Sequence, residues 1–264
     1  VPILLPPSEG KTSPSQGPQL DLLSLAFAKE LTAPRHEVMA ELARISASPQ
    51  AAQILGLGPR AAADAELNTV LTTAPCAPAS QLFTGVLYEA AGLSELGPQD
   101  QASVAAQREL LIFSGLWGVL RPCNLVPDHR AAIGVRLPQL GGLAAFWRRH
   151  LSALLDQFCA AGVVVDCRSA SYATAWQPSA GVCELLQVQV VKEQAGKRKV
   201  VSHHAKHTRG LLTGALLAAL GRGQKALSSA EAVAEVAAEL AEVRAVELGA
   251  PDRRGRRQLS LVLT

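Results

Sequence analysis

The segment LLIFSGLWGVLRPCNLVPDHR, residues 110–130, constrains this chain most. It opens as a buried apolar strand and stops at Ser114-Gly115. A loop punctuated by Gly and Pro follows and carries Trp117, Arg121, Asp128, His129 and Arg130. A hydrophobic strand that ends in a loop of this chemistry is how α/β proteins present a site.

Other segments fit the same frame. Val1–Leu5 and VVVDC (163–167) read as short buried strands. Residues 184–192 and 197–202 read as a hairpin, and 244–248 and 258–263 as strands joined by the turn DRRGRR. Helical character covers 21–47, with Pro34 starting a second helix that turns Val38, Leu42 and Ile45 to one side. Two short helices flank Gly56-Leu57-Gly58-Pro59, and APCAPAS (74–80) reads as a linker. Further helices are expected at 85–88, 100–109, 143–158, 204–220 and 229–243, the last with Val233, Val236, Leu240 and Val243 inward. Irregular alternation with two antiparallel stretches predicts a mixed α/β (α+β) fold, a mixed sheet flanked by helices. One domain spans 1–264, with a helical, helix-hairpin-helix-like subdomain at 34–75.

With 264 residues, 48% of them hydrophobic, the chain can bury one large core. A formal net charge of +3 argues against a whole-surface polyanion binder, so a nucleic-acid role rests on a local patch. Five cysteines without CxxC spacing point to a reduced, cytoplasmic protein. No apolar run is long enough to cross a membrane, and VPILLPPSEGKT does not read as a signal peptide.

Five constellations carry chemistry. Gly10-Lys11-Thr12 resembles the tail of a phosphate-binding loop, but the required first glycine is absent and SPSQGP cannot open a helix. Ser8, Lys11 and Thr12 remain candidate anion contacts. ILGLGPRAA (54–62) has the pattern of a helix-hairpin-helix turn. There the Gly56 and Gly58 backbone and Arg60 would meet a DNA phosphate without reading sequence. In the opening loop, Ser114, Arg121 and Arg130 are candidate anion ligands, and His129 a general acid or base. The alternative is that the arginines brace the loop by bonding its carbonyls. In VVVDCRSASY, Asp166 closes a strand beside Arg168 and Ser169, either as a catalytic carboxylate with anion ligands or as a structural pair. Cys167 is read as packing. In SHHAKHTRG, Ser202 is a candidate helix cap, and Lys206 and Arg209 favour an anionic partner. His203 and His207 have zinc-compatible spacing but no third ligand, so no metal or other cofactor is expected.

These motifs together resemble the YaaA family of bacterial peroxide-stress proteins, in its actinobacterial form. The carriers are LLPPSEGKT, FTGVLYEA, FSGLWGVLRP, HRAAIGVRLP, FW (146–147), VVDCRSASY and VSHHAKHTRG, in order from Pro2 to about Leu220. The resemblance implies a cytoplasmic protein with one α/β fold, a basic cleft and a helix-hairpin-helix element. It also implies DNA binding and protection during peroxide stress. It would gather Lys11, Arg121, Arg130, Asp166, Arg168, Lys206 and Arg209 around one cleft. The chain departs from the family pattern at Asp128-His129, Ala132 and His204. Two function classes follow. One is a non-specific DNA-binding stress protein. The other is an enzyme using Asp166 or His129 on a nucleotide, nucleoside or other phosphate-containing small molecule, in a specialised biosynthetic step. A third reading, iron handling, lacks a clustered ligand set.

Overall fold

The computed structural model describes every residue except Pro98, Ala195, Gly196, Val201, Gln224 and Thr264. Residues 194, 197–200, 202, 203, 225 and 226 are described as backbone only. The strands are β1 (Ile3–Leu5), β2 (Ala77–Pro78), β3 (Leu110–Ser114), β4 (Gly118–Leu120), β5 (Leu125–Val126), β6 (Arg136–Leu137), β7 (Gly141–Gly142), β8 (Val163–Asp166), β9 (Glu184–Gln194), β10 (Lys197–Val200), β11 (Val243–Leu248) and β12 (Arg256–Leu263). The helices are α1 (Ala28–Ser46), α2 (Ala51–Leu55), α3 (Ala79–Leu82), α4 (Val86–Ala90), α5 (Gln101–Glu109), α6 (Leu143–Phe158), α7 (Ala170–Ala173), α8 (Ser202–Gly221) and α9 (Ala230–Ala238). A 3-10 stretch, Pro59–Thr69, follows α2.

The main sheet runs β11-β12-β9-β8-β1-β3-β4, and β10 pairs with β9 beyond the reach of β8. Its five central strands are mutually parallel, while β4, β10 and β11 are antiparallel to their neighbours. This is the expected mixed sheet flanked by helices. Of the central strands, β1, β3 and β8 are buried along their whole length because both faces are covered. Cys167 points to one face, toward Thr213 and Arg209 of α8. On the other face, Arg168 reaches from Asp166 to Phe113 and Trp176. The buried side chains of 34–75, including Val38, Leu42, Leu55 and Ala65, join the same core as the sheet.

Several local expectations are revised. Pro34 does not start a second helix; α1 runs through it for 19 residues. Proline forfeits one backbone bond there, and the buried row Leu31, Val38, Leu42 and Ile45 outweighs that loss. The supposed linker contains β2, paired with β5, and the start of α3. The second arm of the helical hairpin is 3-10, not α. The last helix stops at Ala238, and Val243 begins β11, where pairing with Leu263 replaces the helical contact.

The sheet has a topological switch between β1 and β8. The chain leaves β1 toward β3 on one side and leaves β8 toward β9 on the other. Crevices outside the carboxyl ends of strands at such a point are where open α/β sheets place ligands. The residues after Leu5, Ser114 and Asp166 therefore share one edge.

Gly118 tests the packing of the opening loop. It sits at φ +72°, and a Cβ there would lie 2.7 Å from the buried Trp147 ring. Gly118→Ala should destabilise the fold by about 2 to 4 kcal/mol in urea unfolding, since strain and overpacking add.

Candidate functional site

Beyond Leu5 the chain does not curl into a phosphate cradle. Lys11 bridges antiparallel to Phe83, Thr12 N–H donates to Leu82 O (2.9 Å) and Thr84 N–H to Gly10 O (3.0 Å). Ser8 Oγ donates to Thr84 O, and the Tyr88 hydroxyl to Pro6 O at 2.8 Å. The segment is held extended, and Thr12 is left exposed. This pinning aims the Lys11 side chain at the 127–130 loop.

There a charged cluster forms. Lys11 Nζ donates to His129 O at 2.8 Å and stands 3.9 Å from Asp128 Oδ1. Asp128 Oδ1 accepts from Arg130 Nη1 (2.6 Å) and from His129 N–H (2.7 Å), while Oδ2 accepts from Ser13 Oγ (2.5 Å). Arg130 Nε donates to Asp64 Oδ2 at 3.0 Å. Asn68, fully buried, clamps the Arg130 backbone by accepting from its N–H (2.9 Å) and donating to its carbonyl (2.8 Å). Asp64 and Asn68 both belong to the 3-10 stretch that starts at the Gly58 turn, so the helical hairpin and the lysine are mechanically joined. Burial, then Arg130, bring the Lys11 ammonium down from 10.5 to about 8. Burial works against the Asp128 carboxylate, but Ser13, Lys11 and Arg130 outweigh it and hold its pKa below the usual value.

The remaining candidates do not all converge here. Arg121 lies at the opposite end of the sheet, because β4 runs back along β3. Its guanidinium donates to Arg108 O (2.5 Å) and stacks 4.8 Å from the Phe158 ring centroid, so it braces carbonyls. Asp166 and Arg168 form a closed pair, Nε to Oδ1 and Nη2 to Oδ2 both at 2.8 Å, with the Arg168 side chain at 0% exposure. The guanidinium lies 4.3 Å from the Phe113 ring centroid. The pair is a structural unit under the edge, and Asp166 is not presented to a ligand. Ser114 caps the turn after β3 by accepting from Leu116 and Trp117 N–H. Ser169 Oγ meets Ser171 Oγ at 3.0 Å. Arg209 donates to Val188 O at 2.7 Å, and Lys206 is exposed one turn earlier on α8. The proposed Ser202 cap and the His203 side chain lie outside the described residues. His207 Nε2 lies 3.7 Å from Glu242. Among the described residues, no group of three His, Cys, Asp or Glu is placed to hold a metal ion.

His129 is likewise inside the wall of the site. Its ring is 2% exposed, edge-on to Trp117 and Phe83, and Nδ1–H donates to Pro127 O at 2.9 Å. Burial, then Lys11, push its pKa from 6.5 to about 3, so it stays neutral and does not exchange protons at neutral pH.

The hairpin presents a second surface. Gly56 takes φ +66°, Gly58 is extended, and a Cβ built at either meets nothing within 4 Å. Both glycines and Arg60 are exposed. Beside them a cavity of about 580 Å³ is lined by Gln50, Gln53, Ile54 and Arg136.

Reasoning from the sequence missed Ser13, Asp64, Asn68 and Glu9. Asp64 and Asn68 are spaced four apart behind the hairpin glycines, which was the available signal.

Two measurements check these assignments. Removing one partner of the buried pair, as in Asp166→Asn or Arg168→Ala, should cost about 3 to 5 kcal/mol in urea denaturation. His129 binds its proton in the unfolded chain below pH 6.5 but in the folded chain only near 3, so stability falls as pH drops through that window. Between pH 6.5 and 4.5 the limiting contribution is about 1.4 kcal/mol per pH unit. The partly buried His150, also lowered from 6.5, adds in the same direction. His129→Asn, which keeps a donor for Pro127 O, should flatten the pH slope of the unfolding free energy from urea titrations by up to that amount.

Comparison with known proteins gives the family. The family model described as peroxide stress protein YaaA matches residues 1–234. A UPF0246 protein of Streptomyces coelicolor is 39% identical over 257 residues, covering 96% of this chain and 95% of the relative. One from Corynebacterium efficiens is 37% identical over 217 residues (80% and 82%), and one from Burkholderia lata 31% over 155 (56% and 59%). This chain belongs to the YaaA peroxide stress protein family.

Proposed function

We propose that this protein acts in the cytoplasm during peroxide stress by binding duplex DNA without sequence preference through the Gly56–Arg60 turn. The observation that carries this reading is the openness of that turn. Two exposed glycines let a phosphate approach the backbone, and the Gly58 N–H donates to no protein group among the described residues. Arg60 is exposed with no ion-pair partner among them, and Arg136 stands across the adjoining cavity. Backbone N–H groups and arginines that meet phosphates fix a duplex in place without reading its bases. All five cysteines are free, in keeping with a reducing compartment. A reading as an enzyme that uses Asp166 or His129 on a small anionic molecule has less support, because both groups are buried and engaged.

Binding should weaken steeply with salt. Arg60→Glu should lower duplex affinity about tenfold or more in gel shifts and reduce the salt slope by about one, while the thermal midpoint stays unchanged. Gly58→Glu should act in the same direction. Unchanged affinity in both variants removes the hairpin from the interface.

A further inference from the structure

Lys11 is held in a way that simple ion pairing does not explain. Its side chain is 7% exposed, and its ion pair with Asp128 is long, at 3.9 Å. Asp128 accepts from Arg130, Ser13 and the His129 N–H, and among the described residues the one hydrogen bond of Nζ is its donation to His129 O. A neutral amine has two N–H bonds and a lone pair, so this contact fixes the nitrogen and leaves the lone pair unused. The Arg130 cation is close by, and Glu9 and Asp64 complete the surrounding charges. With a pKa of about 8, roughly one molecule in ten carries neutral Lys11 at pH 7. Desolvation beside another cation is how amines are made nucleophilic toward carbonyl groups. The residue also lies past the end of β1, at the switch point of the sheet.

We propose that Lys11 is a nucleophile toward aldehydes, and that its substrate is the C1′ aldehyde of an abasic sugar in DNA. The choice of aldehyde rests on the DNA-binding reading above. Asp64, which holds Arg130 beside the lysine, is four residues past Arg60, about 8 Å along a 3-10 stretch. A strand held at the hairpin is thereby brought toward the amine. An abasic nucleotide has no base to unstack, which removes the usual obstacle to reaching a sugar inside a duplex. In the step, the Nζ lone pair attacks C1′ and forms a C–N bond. The carbonyl oxygen then departs as water with the two amine protons, leaving an imine. Water reverses the reaction and restores the lysine.

The test uses the full chain, a duplex with one abasic site and sodium cyanoborohydride, which reduces the imine to a stable amine. The expected result is a covalent protein–DNA species that maps by mass spectrometry to Lys11, falls at least tenfold in Lys11→Arg and persists in Lys29→Arg. Mapping in the unaltered protein decides the matter if the Lys11 variant does not fold. A duplex that is retarded in a native gel but gives no adduct, or gives one spread over Lys29, Lys192 and Lys206, overturns the proposal and spares the DNA-binding reading. A duplex that is not retarded overturns that reading and the choice of substrate together. Glyceraldehyde 3-phosphate under the same reduction tests the amine alone, and failure of Lys11 to be the lysine labelled first overturns the nucleophile.

Discussion

The structure depends on the pairing of β1 between β3 and β8. Three residues, Ile3, Leu4 and Leu5, each at 0% exposure, bond in parallel to Leu110–Ile112 on one side and to Val165–Asp166 on the other. Without this strip the sheet falls into two separate pieces. Parallel strands point their carboxyl ends the same way, so the pairing also decides which loops meet. The Lys11 loop and the turn after Ser114 share an edge for this reason, while Arg121, carried back along β4, is at the opposite end.

A second constraint is the burial of arginine. Arg35 is fully buried on α1 and donates to the carbonyls of Ala26, Trp117 and Val119, which fastens the opening loop to the helix. Burial lowers its pKa to about 10, so it remains charged. Arg121 does comparable work on the Arg108 and Leu110 carbonyls, while Arg168 is neutralised by Asp166. A planar group with five donors is well suited to tie several carbonyls together, and its delocalised charge tolerates desolvation better than an ammonium does. Lys11 lacks those properties. Placed in a similar environment, it gives up its proton more readily and becomes a better nucleophile.

The candidate site was partly legible before the fold was known. The strand ends at Leu5, Ser114 and Asp166 stood out because a short apolar run broken by Gly, Pro or charge marks a strand leaving the core. Lys11 and Arg130 stood out with them, as did the hairpin glycines. What no spacing could show was the pairing of charges. Asp166 and Arg168 close on each other two residues apart, and Asp128 is consumed by groups 2 and 115 residues away. Such partners are set by long-range contacts. A run of cationic residues reads the same whether each faces solvent or a carbonyl.

The sequence by itself determined the main buried strands and long helices, the α/β class and the family, since these follow from local periodicity, turn chemistry and ordered motifs. Only the tertiary structure decided which polar residues are free to act. It buried His129 between aromatic rings and locked Asp166 to Arg168. It also left Lys11 with one backbone hydrogen bond and a long ion pair to Asp128, and kept the Gly56–Arg60 turn open. The physical reason is that desolvation and hydrogen-bond saturation are properties of a neighbourhood, assembled here from segments more than 100 residues apart in the chain.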